Sequence, residues 1–295
     1  MRIISLQPTS TEMAFALGAG RSVVGVSHEC VWPPAARKRP VVSTSIIDPD
    51  RMSSAEIDRE VAEAGRKGES LYRVDAEAVE RLKPDLLLTQ TLCEVCAATP
   101  MDVAGVVDRL GTKVVALHAH DFPGMFRDLR LVAEAVGKDP RPLEKALKKR
   151  LEAVARAVKG ARRRRVFCME WMDPVYAAGH WVPEMVERAG GVDGLAAPGG
   201  KSRRIPWPEL LAYDPEVLIL MPCGLHLERV KKDLHKVAGR GLKAETWFVD
   251  GPSYFNGAGP RLIDGVVILA GILHPERMGT RRRGLPRSTA CRLNV

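Results

Sequence analysis

The stretch TLCEVCAATP (residues 91–100) sets Cys93 and Cys96 three apart with Glu94 between them. It follows PDLLLTQ, an apolar run that reads as a buried strand entering a turn. Thiols at this spacing can ligate a metal or an iron–sulfur cluster, exchange as a redox pair, or pack without a ligand. A redox pair favours a helix N-terminus, and Pro100 starts the next helix past the pair. Cys30 follows a neighbouring strand and Cys223 holds the matching place later in the chain. Three or four thiolates converging on one point suit zinc or an iron–sulfur cluster. The candidate metal ligands are therefore Cys30, Cys93, Cys96 and Cys223, with metal, packing and redox readings all open. Cys168 lies within a strand and reads as core; Cys291 lies in the terminal stretch and reads as uninvolved.

Other reactive or stacking side chains also gather where strands end. His28, Glu29 and Trp32 follow the second strand, and Glu94 follows the third. Trp171, His180 and Trp181 follow a strand of the second half, and Tyr254, Phe255, Asn256 and Arg261 follow the last. In open α/β sheets, ligands bind beyond the carboxyl ends of the strands, so these are the candidate ligand-binding residues in a chain that is only 5% aromatic. His118 and His120 flank another strand end and read as solvated loop histidines; His226 opens a helix as a polar surface residue. The sequence has no Walker loop, no GxGxxG after its first strand, no GxSxG and no HExxH. Without a catalytic dyad, the pattern points to binding rather than turnover.

The elements that must position these residues alternate. RIISL (2–6), VVGVS (23–27), DLLLTQ (85–90) and KVVALH (113–118) read as strands, with helical patterns over 54–67, 75–82 and 101–111. Ser10 or Thr11 is the expected cap of the first helix. This rhythm predicts a mainly parallel sheet covered by helices. The apolar spacing of Leu143, Leu147, Leu151, Val154 and Val158 then predicts one long helix over 142–162. A second α/β unit follows, with strands at 165–171, 215–221 and 246–251, and a closing helix stopped by Pro275. The expected domains are an α/β lobe over 1–138, a linking backbone helix over 139–164, an α/β lobe over 165–279 and a flexible basic tail over 280–295.

The 295 residues carry a net charge of +9, concentrated in KALKKR, GARRRR and TRRRGLPR. Solvated helix faces and a tail account for it, since no nucleic-acid-binding motif accompanies the charge. No run approaches the roughly 20 apolar residues of a membrane span, and the short apolar run after Arg2 does not read as a signal peptide. The expectation is a cytoplasmic protein with no membrane insertion and no nucleic-acid partner, in which six cysteines are not a disulfide framework.

RIISLQPTSTEMAFALGAGRSVVGVSHEC resembles the start of the vitamin B12-binding and iron-siderophore-binding receptors of ABC transporters. YRVDAEAVERLKPDLLLTQ and LLAYDPEVLIL are similar to blocks in their two lobes, and the likeness runs to about residue 277. It extends to cytosolic cobalamin-binding-like members through SHECVWPP (27–34), LCEVCA (92–97), WVPEMVERAGG (181–191) and YFNGAGPRLIDG (254–265). The resemblance implies two Rossmann-like lobes joined by a single long backbone helix, with the ligand cleft between lobes. It implies a small-molecule ligand, cobalamin or another corrinoid, and an ABC permease or a corrinoid-using protein as the next partner. The function read from the sequence is a cytosolic binding protein for a corrinoid or related metal chelate. The alternative is an iron–sulfur or zinc metalloprotein or enzyme built on the four cysteines, with His28, Glu29 or Glu94 for acid–base work.

Overall fold

The alternation of the first half closes into one six-stranded sheet. The computed structural model describes residues 1–91, 97–279 and 290–293. The elements of the first half are β1 (Ile3–Ser5), α1 (Pro8–Ala16), β2 (Val23–Ser27), β3 (Val41–Ser45), α2 (Ser54–Lys67), β4 (Tyr72–Val74), α3 (Ala76–Leu82), β5 (Leu86–Gln90), α4 (Pro100–Leu110), β6 (Lys113–Leu117), α5 (Phe122–Ala135) and α6 (Arg141–Val158). The sheet order is β4-β3-β2-β1-β5-β6, parallel throughout except for the β3/β4 pair. The order reverses between β1 and β5, and this is where such sheets bind ligands. Ile4, Leu6, Leu87 and Val103 lie in the apolar core between sheet and helices.

Two local expectations change. Helix α1 starts at Pro8, whose missing N–H and fixed φ suit a first helical position. Ser10 and Thr11 therefore lie inside the helix and do not cap it; both hydroxyls reach back to the Gln7 carbonyl, at 3.2 and 3.1 Å. Helix α6 ends at Val158, short of the expected 162, because Gly160 takes a left-handed φ of +70° that a helix cannot continue through. Its Leu147, Leu151 and Val154 are buried, as the spacing required.

The second half forms β7 (Arg164–Met172), β8 (Val175–Ala177), α7 (Val182–Arg188), β9 (Gly191–Val192), β10 (Arg203–Arg204), α8 (Trp207–Tyr213), β11 (Val217–Leu220), α9 (Leu227–Asp233), β12 (Glu245–Val249), α10 (Gly251–Tyr254), α11 (Leu262–Leu273), α12 (Pro275–Met278) and β13 (Ala290–Leu293). Its sheet runs β10-β8-β7-β11-β12-β13, with β9 paired to β7. Strands β7, β11 and β12 are parallel; β8 and β13 run against their neighbours. Residues 290–293, expected in a flexible tail, instead extend this sheet, with Cys291 opposite Phe248 and packed on the core of the unit. The remainder of that expected tail, 280–289 and 294–295, lies outside the described residues.

The chain divides into two units, 1–48 with 59–145, and 49–58 with 146–295. The division falls inside α2 and inside α6. Segment 49–58 thus belongs to the second unit, although the sequence places it amid the first. Among the described residues, no helix is long and apolar enough to cross a membrane.

Candidate functional site

In the first unit, β1 and β5 lie side by side at the point of order reversal, and the chain after β5 runs from Thr91 into residues 92–96. Cys93, Glu94 and Cys96 lie outside the described residues. The turn after β1 is held by Gln7, whose side-chain N–H donates to the Thr89 carbonyl at 3.0 Å. Beneath it lies a buried cluster of small polar groups: Ser5 Oγ is 2.7 Å from Ser10 Oγ, and Thr11 Oγ1 donates to Ser5 Oγ at 2.8 Å.

Cys30 belongs to that cluster. The Thr11 hydroxyl is 3.1 Å from its sulfur, and only 2% of the residue is exposed. Burial pushes its thiol up to about 12, with the Thr11 contact pulling weakly the other way. The environment of Cys30 is that of a neutral thiol packed among hydroxyls. Cys223 is half-buried in the second unit, its backbone N–H donating to the Glu170 carbonyl. Among the described residues, no group of three or more His, Cys, Asp or Glu side chains is placed to hold a metal ion.

The turn after β2 is more open. Trp32 leaves 44% of its surface exposed, beside an exposed Val31. His28 is exposed, its Nδ1 3.3 Å from the Ser43 carbonyl. Glu29 is partly buried and accepts a hydrogen bond from the Tyr72 hydroxyl at 3.1 Å. Burial drives its carboxyl up to about 7, and the Tyr72 bond offsets only part of that. Tyr72 is a site residue the sequence reading missed. It arrives on β4, a three-residue strand antiparallel to β3, through the Ser45–Tyr72 register.

In the second unit, most aromatic candidates turn inward. Trp181 is 5% exposed and its indole N–H donates to the Phe255 carbonyl at 2.6 Å; Phe255 is fully buried. Both were expected to face a ligand, and both instead fill the core, because an indole N–H given a backbone acceptor can be buried whole. Tyr254 is also buried, with the Arg261 guanidinium 4.3 Å from its ring centre. The Asn256 amide donates to the Met221 carbonyl at 3.4 Å. His180 holds a left-handed φ of +54° next to Trp181. Trp171 is half-buried and donates to two carbonyls, Ser54 and Asp173, each at 3.1 Å.

The Ser54 contact is part of a network that no sequence motif announces. Arg229 donates to the Pro49 and Met52 carbonyls at 2.9 and 3.0 Å and pairs with Asp233 at 2.9 Å. The Ser54 hydroxyl donates to the same Asp233 carboxylate, and Lys236 reaches Asp173 at 2.8 Å. Segment 49–58 is docked onto its unit by these charges. Nearby, His226 lies 3.5 Å from Asp250, whose carboxylate raises the imidazole above its usual range.

A family model described as periplasmic binding protein matches residues 3–242. An uncharacterised ABC transporter substrate-binding lipoprotein of Bacillus subtilis is 24% identical over 289 residues, covering 93% of this chain and 80% of its own. A vitamin B12-binding protein of Salmonella typhimurium is 26% identical over 275 residues, covering 89% of this chain and 86% of its own. Among solved structures, a periplasmic heme-binding protein from Pseudomonas aeruginosa aligns with a TM-score of 0.73 at 19% identity, over 100% of this chain and 98% of that one. A periplasmic vitamin B12-binding protein of Vibrio cholerae aligns at 0.60 and 19% identity, over 92% and 96%. These structural likenesses show the two-lobe α/β fold. The cytoplasmic expectation is corrected by the family and its relatives: the matching family model is of a periplasmic binding protein and the Bacillus subtilis relative is a substrate-binding lipoprotein, so the cytosolic reading of the resemblance does not stand.

Proposed function

Because the chain belongs to the periplasmic binding protein family, we propose that it is the substrate-binding protein of an ABC transporter and that its ligand is cobalamin or a closely related metal chelate. The observation that carries the ligand is the alignment with vitamin B12-binding proteins along 89% of the chain. The first unit supports it with an open aromatic face at Trp32, beside His28 and Glu29, at the end of β2. The second unit, taken by itself, supports it with Arg261 and Asn256, whose donors suit amide or phosphate oxygens, and with the half-buried Trp171 and His180. Large flat ligands are gripped in this way, by aromatic surface with a few placed polar groups. The next partner is then an ABC permease.

The test is an absorption titration of the purified chain with cyanocobalamin and, separately, with hemin. Saturable one-to-one uptake of cobalamin is the expected result. Uptake of hemin alone would keep the receptor and replace its ligand. No saturable uptake of either at about 10 μM, a modest affinity for a dedicated receptor, would overturn the reading.

A further inference from the structure

The turn after β6 holds two histidines that the ligand reading does not use. His118 and His120 are two residues apart, so in extended chain they project to the same side. Their Nε2 atoms face each other at 3.2 Å, with the rings edge to face at 4.6 Å between centres. Two nitrogens each about 2.1 Å from one metal ion lie about 3.0 Å apart at a right angle and about 3.4 Å apart at the tetrahedral angle. The observed separation falls between these values.

The surroundings hold the pair in place. Thr91 Oγ1 lies 2.9 Å from His118 Nδ1, so an Nδ1–H can donate there and leave Nε2 as the lone-pair nitrogen. The Thr91 backbone is itself fixed, its N–H donating to the Leu117 carbonyl at 3.0 Å. Asp128, on α5, accepts the backbone N–H groups of His118 and Ala119, each at 2.9 Å. Asp121 caps α5 by accepting the Gly124 N–H at 2.6 Å. Gly124 lies so close that a Cβ there would sit 3.0 Å from Ala119 Cα, which keeps the helix start tight under the turn. His118 is exposed, so water can fill the remaining coordination positions.

We infer that His118 and His120 form a bidentate surface site for a first-row divalent transition-metal ion, with both Nε2 atoms as ligands and Thr91 orienting His118. Imidazole favours copper, nickel and zinc over magnesium or calcium.

The experiment is calorimetric titration of the chelator-treated full chain with Ni2+, beside the single variants H118A and H120A, T91V and the double variant C93S C96S. One ion per chain is expected. Losing either imidazole should weaken binding by about tenfold or more, and T91V by about tenfold, while each variant keeps the melting temperature of the metal-free parent. C93S C96S should bind as the parent does. Absence of Ni2+ uptake by the parent chain would overturn the assignment. So would undiminished affinity in H118A and H120A, as would loss of uptake in C93S C96S with the histidine variants unaffected.

Discussion

Trp32 stands at a strand end of the first unit with 44% of its surface open, whereas Trp181 stands at a strand end of the second with 5%. The same contrast runs through their neighbours. His28 and His118 are exposed in the first unit, while Tyr254 and Phe255 are buried in the second. Residue types that look alike in sequence are spent on exposed chemistry in one unit and on packing in the other. One carboxylate from each unit shows how neighbours decide the direction of a shift. Burial raises Glu29 to about 7 in the first unit. In the second, burial pushes Asp233 upward, but the Ser54 hydroxyl and the Arg229 and Lys236 charges outweigh it and hold the group below its usual range.

Phe255→Ala should show the largest effect. Emptying a fully buried ring site costs about 3–5 kcal/mol, read by denaturant unfolding; a loss under about 1 kcal/mol would erase the contrast with Trp32. Next comes Asp233→Ala, which leaves the buried Arg229 guanidinium without its carboxylate, at a cost of about 3 kcal/mol. Limited proteolysis should then cut within 49–58, the segment that Arg229 and Asp233 hold in place.

The third effect depends on pH. Between the ordinary Glu value of 4.5 and about 7, the folded state binds more protons at Glu29 than the unfolded chain, so stability falls as pH rises through that window. Glu29→Gln should flatten this part of the melting-temperature profile and gain on the parent at pH 8. Asp233 acts oppositely: its contribution is present above the ordinary aspartate range and is lost as pH falls through its lowered folded value. A parent profile that Glu29→Gln leaves unchanged would break this half of the comparison. Trp32→Ala should have the smallest effect on stability, within about 0.5 kcal/mol, as for exposed substitutions generally.

Long periodic elements were legible in the sequence. The bounds of α2 and β2 match their expected spans, since fourteen helical residues or an uninterrupted apolar run leave a clear period. Strands β4, β8, β9 and β10 were not legible, having only two or three residues without the apolar run that marks β1, and β3, VVSTS, was missed as well, being mostly small and polar. Neither was the docking of 49–58, which depends on Arg229 and Asp233 about 180 positions away. The sequence marked Trp32, Trp181 and Phe255 as aromatic residues at strand ends but held no signal for which of them face outward. The histidine pair did carry a signal, an i, i+2 spacing after a strand, which a solvated-loop reading passes over.

Cobalamin binding by the parent chain and by Trp32→Ala, measured side by side with their melting temperatures, tests most directly whether the open strand ends of the first unit carry the ligand. The expected result is saturable uptake by the parent and an affinity lower by up to about tenfold in the variant, the scale of one aromatic contact, with the melting temperature unchanged. Equal affinities in the two proteins, or no saturable uptake by the parent, would contradict it.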